Sequence, residues 1–291
     1  ARQAVRSRFA RRLTEVGDAS TISGALAANL VSTTVSDDSV AIAFEDYGNG
    51  RNGALVLCSV DNGATVCETP AHFTSEPIHH VYGSLAVGAM LDSHVILAWK
   101  QGSTPYIGHL RVCPVDVEEF EFDCGADFPV RADWGVVSVA VLSSEMVVFA
   151  YSDRQKGERG ELVRCDVASL ATVSCDLAHV FEQEPVQTLT VAALADGHLA
   201  YALTPKPAKD LILAYEVEIG GQKVGRLVPC EVKQVLGLPK VMCERRSILP
   251  FSDGPSKGVQ LLALSQQVFA VGFNDLQQSC VEPTLWNLQQ P

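Results

Sequence analysis

GELVRCDV, residues 160–167, is one of four occurrences of the phrase Gly-x-Leu-x-x-Cys-x-Val in this chain. The others are GALVLCSV at 53–60, GHLRVCPV at 108–115 and GRLVPCEV at 225–232. A second cysteine follows each copy after a short interval, which gives four candidate pairs: Cys58 with Cys67, Cys113 with Cys124, Cys165 with Cys175, and Cys230 with Cys243. One structural unit is therefore repeated, and each copy carries its own candidate disulfide.

Around the third copy, short apolar runs alternate with turns. VVSVAVL (136–142) and MVVFAY (146–151) are separated by Ser-Ser-Glu, and strand-like segments follow at 161–167 and from Thr172 onward. β-Branched and aromatic residues dominate these runs, and no segment has a helical period. Four short strands in about fifty residues predict one blade of a β-propeller, so the fold class is all-β. The second strand of each unit is expected to end on a bulky residue: Phe44, Trp99, Tyr151, Leu203 and Phe273.

The first copy indicates how the cysteines pair. Cys58 and Cys67 lie symmetrically about Asn62-Gly63, a dipeptide suited to a tight hairpin turn. In that register the two cysteines are direct cross-strand neighbours. We therefore predict one hairpin disulfide between the third and fourth strands of each of the four units.

We expect a basic N-terminal arm over residues 1–25 and one propeller over 26–291. Its units span about 26–75, 76–130, 131–182, 184–252 and 257–291. The fifth unit ends early, and its Cys280 has no partner in phase. The simplest closure uses Arg6–Val16 as the outer strand of the fifth unit, which gives five blades. The alternative is six blades, in which the long fourth unit supplies the sixth and DLILAYEVE (210–218) forms an added hairpin.

Charge and cysteine usage limit the function. The net charge of −12 argues against general nucleic-acid binding. Phased cysteine pairs predict an oxidising compartment, and the absence of an 18-residue apolar run excludes a transmembrane helix. The start of the chain is nevertheless basic, since no acid precedes Glu15 and five arginines stand before it: Arg2, Arg6, Arg8, Arg11 and Arg12. This arm either pairs with its own acidic body or docks on an acidic partner.

Two segments resemble a known repeat. VAIAFEDYGNGRNGALVL (40–57) and MVVFAYSDRQKGERGELVRC (146–165) look like the tandem propeller repeat with the core "VVVAYSD…GxxxV", found in bacterial proteins and in dinoflagellates. The resemblance implies a propeller and little about activity, because that family is mostly uncharacterised. Together with the disulfides and the arginine-rich start, it implies a plastid route and a thylakoid-lumen subunit on a photosynthetic membrane complex.

The loops that lead into the inner strands and those that follow the second strands share one face. They carry the candidate site residues Asp18, Glu76, His79, His80, Tyr82, Asp133, Trp134, Glu182 and Glu184. On an alternating strand, the rings of His79 and His80 would point to opposite faces, so no shared metal is expected. The segments 45–52 and 152–159 lack the acid spacing of calcium loops.

We found no catalytic, phosphate-binding or nucleotide-binding motif. The first hypothesis is therefore a non-catalytic scaffold that docks on a protein partner in a larger complex and needs no cofactor. Its binding residues would be the five arginines together with Asp133, Trp134 and Glu184. One alternative is a lectin-like propeller that binds carbohydrate. A second is a five-bladed glycosidase that uses paired carboxylates, with Asp133 or Glu184 as candidates.

Overall fold

The structure is a computed structural model. It describes residues 22–61, 64–80, 82–90, 94–104, 106–119, 121–130, 133–170, 172–194, 211–235, 238–243, 248–252, 256–263, 268–275, 280–281 and 284–287. These residues form antiparallel β-strands and two short 3₁₀ helices, Tyr47–Asn49 and Arg154–Lys156.

The strands follow one another in five units. The first contains β1 (Ala27–Ser36), β2 (Ser39–Asp46), β3 (Asn52–Asp61), β4 (Ala64–Cys67) and β5 (Ala71–Pro77). The second contains β6 (Leu85–Met90), β7 (His94–Lys100), β8 (Gly108–Asp116), β9 (Glu121–Phe122) and β10 (Phe128–Val130). The third contains β11 (Trp134–Ser143), β12 (Met146–Asp153), β13 (Arg159–Ser169), β14 (Thr172–Cys175) and the first part of β15 (His179–Ala193).

The fourth unit begins with the second part of β15, which pairs with the next strand. It continues with β16 (Leu211–Ile219), β17 (Gln222–Val235), β18 (Leu238–Cys243) and β19 (Leu249–Ser252). The fifth contains β20 (Ser256–Ala263), β21 (Val268–Asp275), β22 (Cys280–Val281) and β23 (Thr284–Asn287). Because β15 belongs to two units, the third and fourth form one continuous sheet.

The outer strand of each of the first four units is interrupted once. In the first unit, β4 and β5 both pair with β3: Cys58 lies opposite Cys67, and Leu55 lies opposite Ala71. The corresponding pieces are β9 and β10 on β8, β14 and β15 on β13, and β18 and β19 on β17. The first piece of each outer strand is therefore the disulfide hairpin, and the second covers the rest of the third strand.

All four predicted disulfides are confirmed. The bonds join Cys58 to Cys67, Cys113 to Cys124, Cys165 to Cys175, and Cys230 to Cys243. They indicate an oxidising compartment, because such bonds persist only outside reducing surroundings. Among the described residues, no helix has the length and apolar content needed to cross a membrane.

The glycine of the repeated phrase has a packing role. A Cβ atom on Gly160 would lie 2.4 Å from a ring atom of Phe181, so only glycine leaves room for the ring. The other three copies face aromatic rings at the same distance, namely Gly53 on Phe73, Gly108 on Trp134 and Gly225 on Phe251. The glycine thus lets an aromatic ring lie flat on the start of each third strand.

Five inner strands surround a central channel, which confirms the propeller fold. A cavity of about 510 Å3 is lined by β1, β6, β11, β15 and β20. Hydroxyl groups tie neighbouring inner strands together: Thr33 Oγ1 accepts a hydrogen bond from the Ala89 N–H (3.0 Å), and Ser138 Oγ accepts one from the Val191 N–H (3.1 Å). The number of blades in the complete ring stays a prediction, because residues 1–21 lie outside the described part of the chain.

The fourth unit differs from the sequence prediction. DLILAYEVE is not an added hairpin, since Leu211–Ile219 is the second strand of that unit. Leu211 lies opposite Cys230, as Val147 lies opposite Cys165 in the third unit. Four residues further on, Tyr215 therefore takes the place of Tyr151, and the assignment of Leu203 to that place was wrong. The extra length falls between the first and second strands, at 195–210, outside the described residues.

The fifth unit departs from the others in its third strand. Phe269 lies opposite Trp286, so Trp286 occupies the register of the disulfide cysteine. Cys280 lies opposite Asp275 at the beginning of the strand, six positions earlier. Its prediction as an unpaired thiol stays a prediction, as does the outer strand expected from Arg6–Val16.

Candidate functional site

The predicted site residues are spread over different environments. The five arginines and Asp18 lie outside the described residues. Trp134 is fully buried and packs against the backbone of Gly108, so its ring belongs to the core between the second and third units. Glu184 is exposed, and its backbone N–H donates to Glu182 Oε1 (3.3 Å). Of the predicted binding residues that the structure describes, Asp133 is the one that lies in a cluster of polar and aromatic side chains.

That cluster lies at the end of the channel where the inner strands begin, which we call the mouth. β12 runs antiparallel to β11, so the end of each second strand returns to the same face. Tyr82, Gly83 and Val136 line this end of the channel. We define the mouth cluster as the residues on this face that contact one another between the second and third units: His79, His80, Lys100, Tyr106, Asp133 and Arg154.

Lys100 is the buried centre of the mouth cluster. It ends β7, its side chain is 1% exposed, and its Nζ lies 2.6 Å from Asp133 Oδ1. Burial lowers the pKa of Lys100, while the Asp133 carboxylate acts in the opposite direction. The backbone N–H of Arg154 donates a hydrogen bond to the backbone carbonyl oxygen of Asp133 (2.9 Å). This bond fixes the loop that carries the Asp133 carboxylate.

Aromatic rings cover this ion pair. The rings of His79 and His80 stack with centroids 4.9 Å apart, and His79 meets the ring of Tyr106 edge-on at 5.3 Å. Lys100 Nζ lies 5.2 Å from the centre of the Tyr106 ring, within the range of a cation–π contact. Tyr106 and Tyr82 are 41% and 63% exposed, so the mouth offers aromatic surface to solvent.

The two histidines correct the expectation that their rings point apart. Both lie outside the strands, between β5 and β6, so the alternation of a strand does not apply. Burial, followed by the charge of Lys100, lowers the pKa of His79 to about 4, and its imidazole is neutral at neutral pH. Within the described part of the chain, no group of three or more His, Cys, Asp or Glu is arranged to hold a metal.

Two other polar clusters contain a tyrosine and a glutamate, and both are buried. Tyr151 OH donates to Glu161 Oε2 (3.0 Å), and Tyr215 OH donates to Glu182 Oε2 (3.0 Å). Burial raises the pKa of both tyrosines. Arg159 lies 2.6 Å from Glu161, and Arg226 lies 2.5 Å from Glu182. These clusters therefore hold neighbouring strands together and are closed to a ligand.

Lys100 was not predicted as a site residue, although its position in the repeat was a signal. Lys100 follows the bulky Trp99 directly, at the position that Glu45, Ser152 and Glu216 occupy in other units. All four side chains are buried in the structure. A polar residue that recurs at one strand register therefore indicates a buried polar position. Of these four residues, Lys100 forms the ion pair with Asp133.

Comparison with solved structures finds a sialidase and two trans-sialidases among the similar chains. The chain is similar to the Hadza microbial sialidase Hz136, with a TM-score of 0.55, 13% identity, and coverage of 90% of this chain and 53% of that one. It is similar to the leech intramolecular trans-sialidase, with a TM-score of 0.55, 10% identity, and 84% and 37% coverage. The corresponding values for the intramolecular trans-sialidase of Ruminococcus gnavus are 0.53, 11%, 83% and 52%.

These similarities establish the fold alone, because identities are low and the chain spans about half or less of each neighbour's length. No protein-family model matches the chain, and no curated protein matches it in sequence. The resemblance to the "VVVAYSD" repeat is thus supported as far as the propeller, and its finer assignment stays a prediction.

Proposed function

We propose that this protein is a carbohydrate-binding propeller whose ligand rests on the mouth cluster. The observation that carries the proposal is the stacked His79–His80 pair against Tyr106, whose ring in turn contacts Lys100 of the Lys100–Asp133 ion pair. The C–H face of a sugar ring packs on aromatic surface, and its hydroxyls exchange hydrogen bonds with charged groups beside that surface. The exposed rings of His80 and Tyr106 offer the first kind of contact, and the partly exposed side chains of Asp133 and Arg154 offer the second.

The neighbours support a glycan as the ligand. The sialidases and trans-sialidases share the fold of this chain, and their names describe action on sialic acid. The likeness is one of fold, so it supports a class of ligand and not a reaction. It favours the lectin-like and glycosidase hypotheses over the docking hypothesis.

The described groups favour binding over hydrolysis. Glycosidases act through a carboxylic acid of raised pKa with a second carboxylate, or in some classes through a tyrosine nucleophile. Here hydrogen bonds from Gln101 and Ser103 lower the pKa of Glu76. Burial alone would raise the pKa of Glu161, but hydrogen bonds from Lys156, Arg159 and Tyr151 outweigh it and lower the pKa. Asp133 is paired with Lys100, and the two tyrosines bonded to glutamates are buried.

The docking hypothesis remains a separate prediction. Its arginine arm lies outside the described residues, and nothing in the fold or the comparisons supports a thylakoid or photosynthetic partner. A protein that binds no glycan and requires Arg2, Arg6 and Arg8 for a macromolecular partner would favour it.

The test compares two tyrosines in equivalent loops. Tyr106 and Tyr47 are 41% and 42% exposed, and each ring contacts a cation, Lys100 at 5.2 Å and Arg51 at 5.5 Å. Only Tyr106 contacts the histidine pair. On a glycan array followed by titration calorimetry, Tyr106→Ala should weaken binding about tenfold, or about 1.4 kcal/mol, because it removes an aromatic wall. Tyr47→Ala should bind as the unchanged protein does.

Two outcomes would contradict this proposal. The first is an array on which the folded protein binds no glycan. The second is release of a sugar from a glycan or a fluorogenic glycoside that Asp133→Asn abolishes, because this would make the protein a glycosidase. Equal losses from Tyr106→Ala and Tyr47→Ala would place the glycan elsewhere on the propeller.

A further inference from the structure

The cations around the mouth are already engaged by carboxylates of the same chain. Lys100 pairs with Asp133 at 2.6 Å, and Arg51 pairs with Glu45 at 2.5 Å. Arg154 lies farther from its partner, with Nε 3.7 Å from Glu158 Oε1. Each positive charge at this face is therefore matched by a negative one.

The same holds for every arginine whose side chain the structure describes. Each has a nitrogen within 4.0 Å of a carboxylate oxygen: Arg51, Arg111, Arg154, Arg159, Arg164 and Arg226. Recognition of a carboxylate on a ligand relies on donors of an arginine or lysine that are free to turn toward it. Arg51, Arg159, Arg164 and Arg226 donate hydrogen bonds to the protein's own acids. Arg111 and Arg154 lie beside a carboxylate at the longer distances of 4.0 and 3.7 Å.

A ligand carboxylate at the mouth would meet two unfavourable effects. If it took Lys100, it would leave Asp133 without its cation in a partly buried site, which is costly. If it sat beside the intact pair, it would face the Asp133 carboxylate at short range. The histidines add no compensating charge, because burial and the charge of Lys100 hold the pKa of His79 at about 4.

The charge of the whole molecule acts in the same direction. The chain has 22 basic and 34 acidic residues, which gives a net charge of −12. This excess produces a negative field that disfavours the approach of anionic ligands at low salt. Local pairing and the long-range field thus exclude the same class of ligand.

We infer that the mouth cluster binds an uncharged saccharide and discriminates against sialylated and other carboxylate-bearing glycans. This rests on the proposed carbohydrate function and specifies its ligand class. It sets the chain apart from the sialidases that share its fold, because the described cations of this face have their carboxylates within the protein.

The test uses a glycan array composed of matched pairs, each neutral glycan beside its sialylated form, for example lactose beside 3′-sialyllactose. The expected result is that neutral members bind and that sialylation at the contacted sugar weakens binding at least tenfold. Equal or tighter binding of the sialylated members would overturn the inference and leave the proposed function standing. No binding to any member of the array would overturn the proposed function itself.

Two variants should weaken the discrimination of the mouth cluster against sialylated glycans. Glu158→Gln removes the carboxylate beside Arg154, the most loosely paired cation of the mouth, and Asp133→Asn removes the partner of Lys100. Each variant should reduce the ratio of the affinity for a neutral glycan to the affinity for its sialylated form by about three- to tenfold. Glu158 is 40% exposed at its side chain, so its variant should fold even if Asp133→Asn does not. A Glu158→Gln protein that folds and binds neutral glycans with an unchanged affinity ratio would contradict the role given to charge pairing.

Discussion

The third and fifth units share a strand register but differ in how their third strands are held. In the third, Gly160 receives the ring of Phe181, and Cys165 is bonded to Cys175 in the outer strand. In the fifth, Val281 stands at the register of Gly160, opposite Asn274, and Trp286 stands at that of Cys165. Both residues of the repeated phrase are missing there.

The difference shows what the repeated phrase does. In the first, third and fourth units the glycine faces an aromatic ring of the unit's own outer strand, whereas the ring on Gly108 of the second unit is that of Trp134, which begins the third unit. The cysteine is bonded to the hairpin's second cysteine in all four units. The glycine and the cysteine are absent together in the fifth unit, where the described residues include no outer strand. The phrase is therefore a device for holding the fourth strand on the third. A fifth unit that lacks it is expected to take its outer strand from elsewhere in the chain, and Arg6–Val16 is the predicted source.

The largest expected effect comes from removing that source. Deleting residues 1–17 should leave the fifth unit with an unpaired edge and lower Tm by roughly 10 °C, as expected for a loss of several kcal/mol in a chain of this size. Deleting residues 1–5 keeps the predicted strand and should leave Tm unchanged. Calorimetry of both truncations decides the matter. An unchanged Tm after the longer deletion would show that the arm does not close the ring.

A smaller effect is expected from the disulfide of the third unit. The double variant Cys165→Ala and Cys175→Ala opens a short loop, and in the chain-entropy model this costs about 2–3 kcal/mol. Cys280→Ala in the fifth unit should change the free energy of unfolding by less than about 0.5 kcal/mol. Denaturant titration of both proteins measures the contrast. Equal losses would mean that Cys280 also forms a stabilising bond.

The smallest contrast concerns two glycines. Gly160→Ala places a Cβ 2.4 Å from the buried ring of Phe181 and should cost about 1–3 kcal/mol. In the fifth unit, Gly272→Ala places a Cβ with no described atom within 4 Å, and its stability should stay within about 0.5 kcal/mol of the unchanged protein. Thermal unfolding compares them. Adding Phe181→Leu to Gly160→Ala should recover part of the loss, and no recovery would mean that the ring is not the cause.

The sequence was most informative where one position recurs at a constant phase. The first cysteine of each pair keeps a constant spacing from the glycine, and the second follows after a short interval, so the pairing and the strand order could be predicted from the chain alone. The fourth unit departs from this constant spacing, because its extra residues precede β16. Apolar character alone did not distinguish the region around Leu203 from the strand Leu211–Ile219. Apolar runs specify a strand but not which strand it is.

The site was harder to predict because it is assembled from loops of different units. Asp133 stood out as an acid before an inner strand, whereas Lys100 directly follows an apolar run and carries no comparable signal of its own. Its role depends on the distance to Asp133, which sequence spacing does not give. The stacking of His79 on His80 likewise depends on a segment that leaves the strand conformation after Pro77.

The length of β15 has a mechanical consequence. This strand pairs with β13 at the rim of the third unit and with β16 beside the channel of the fourth, without a break from His179 to Ala193. Between the first and second units, the described residues 78–80 and 82–84 belong to no strand of more than one bridge. Force applied along the chain would thus be transmitted between the third and fourth units by one continuous strand. Between the first and second units it would be transmitted by the connection after β5. Of these two connections, the one that holds the histidines would yield first.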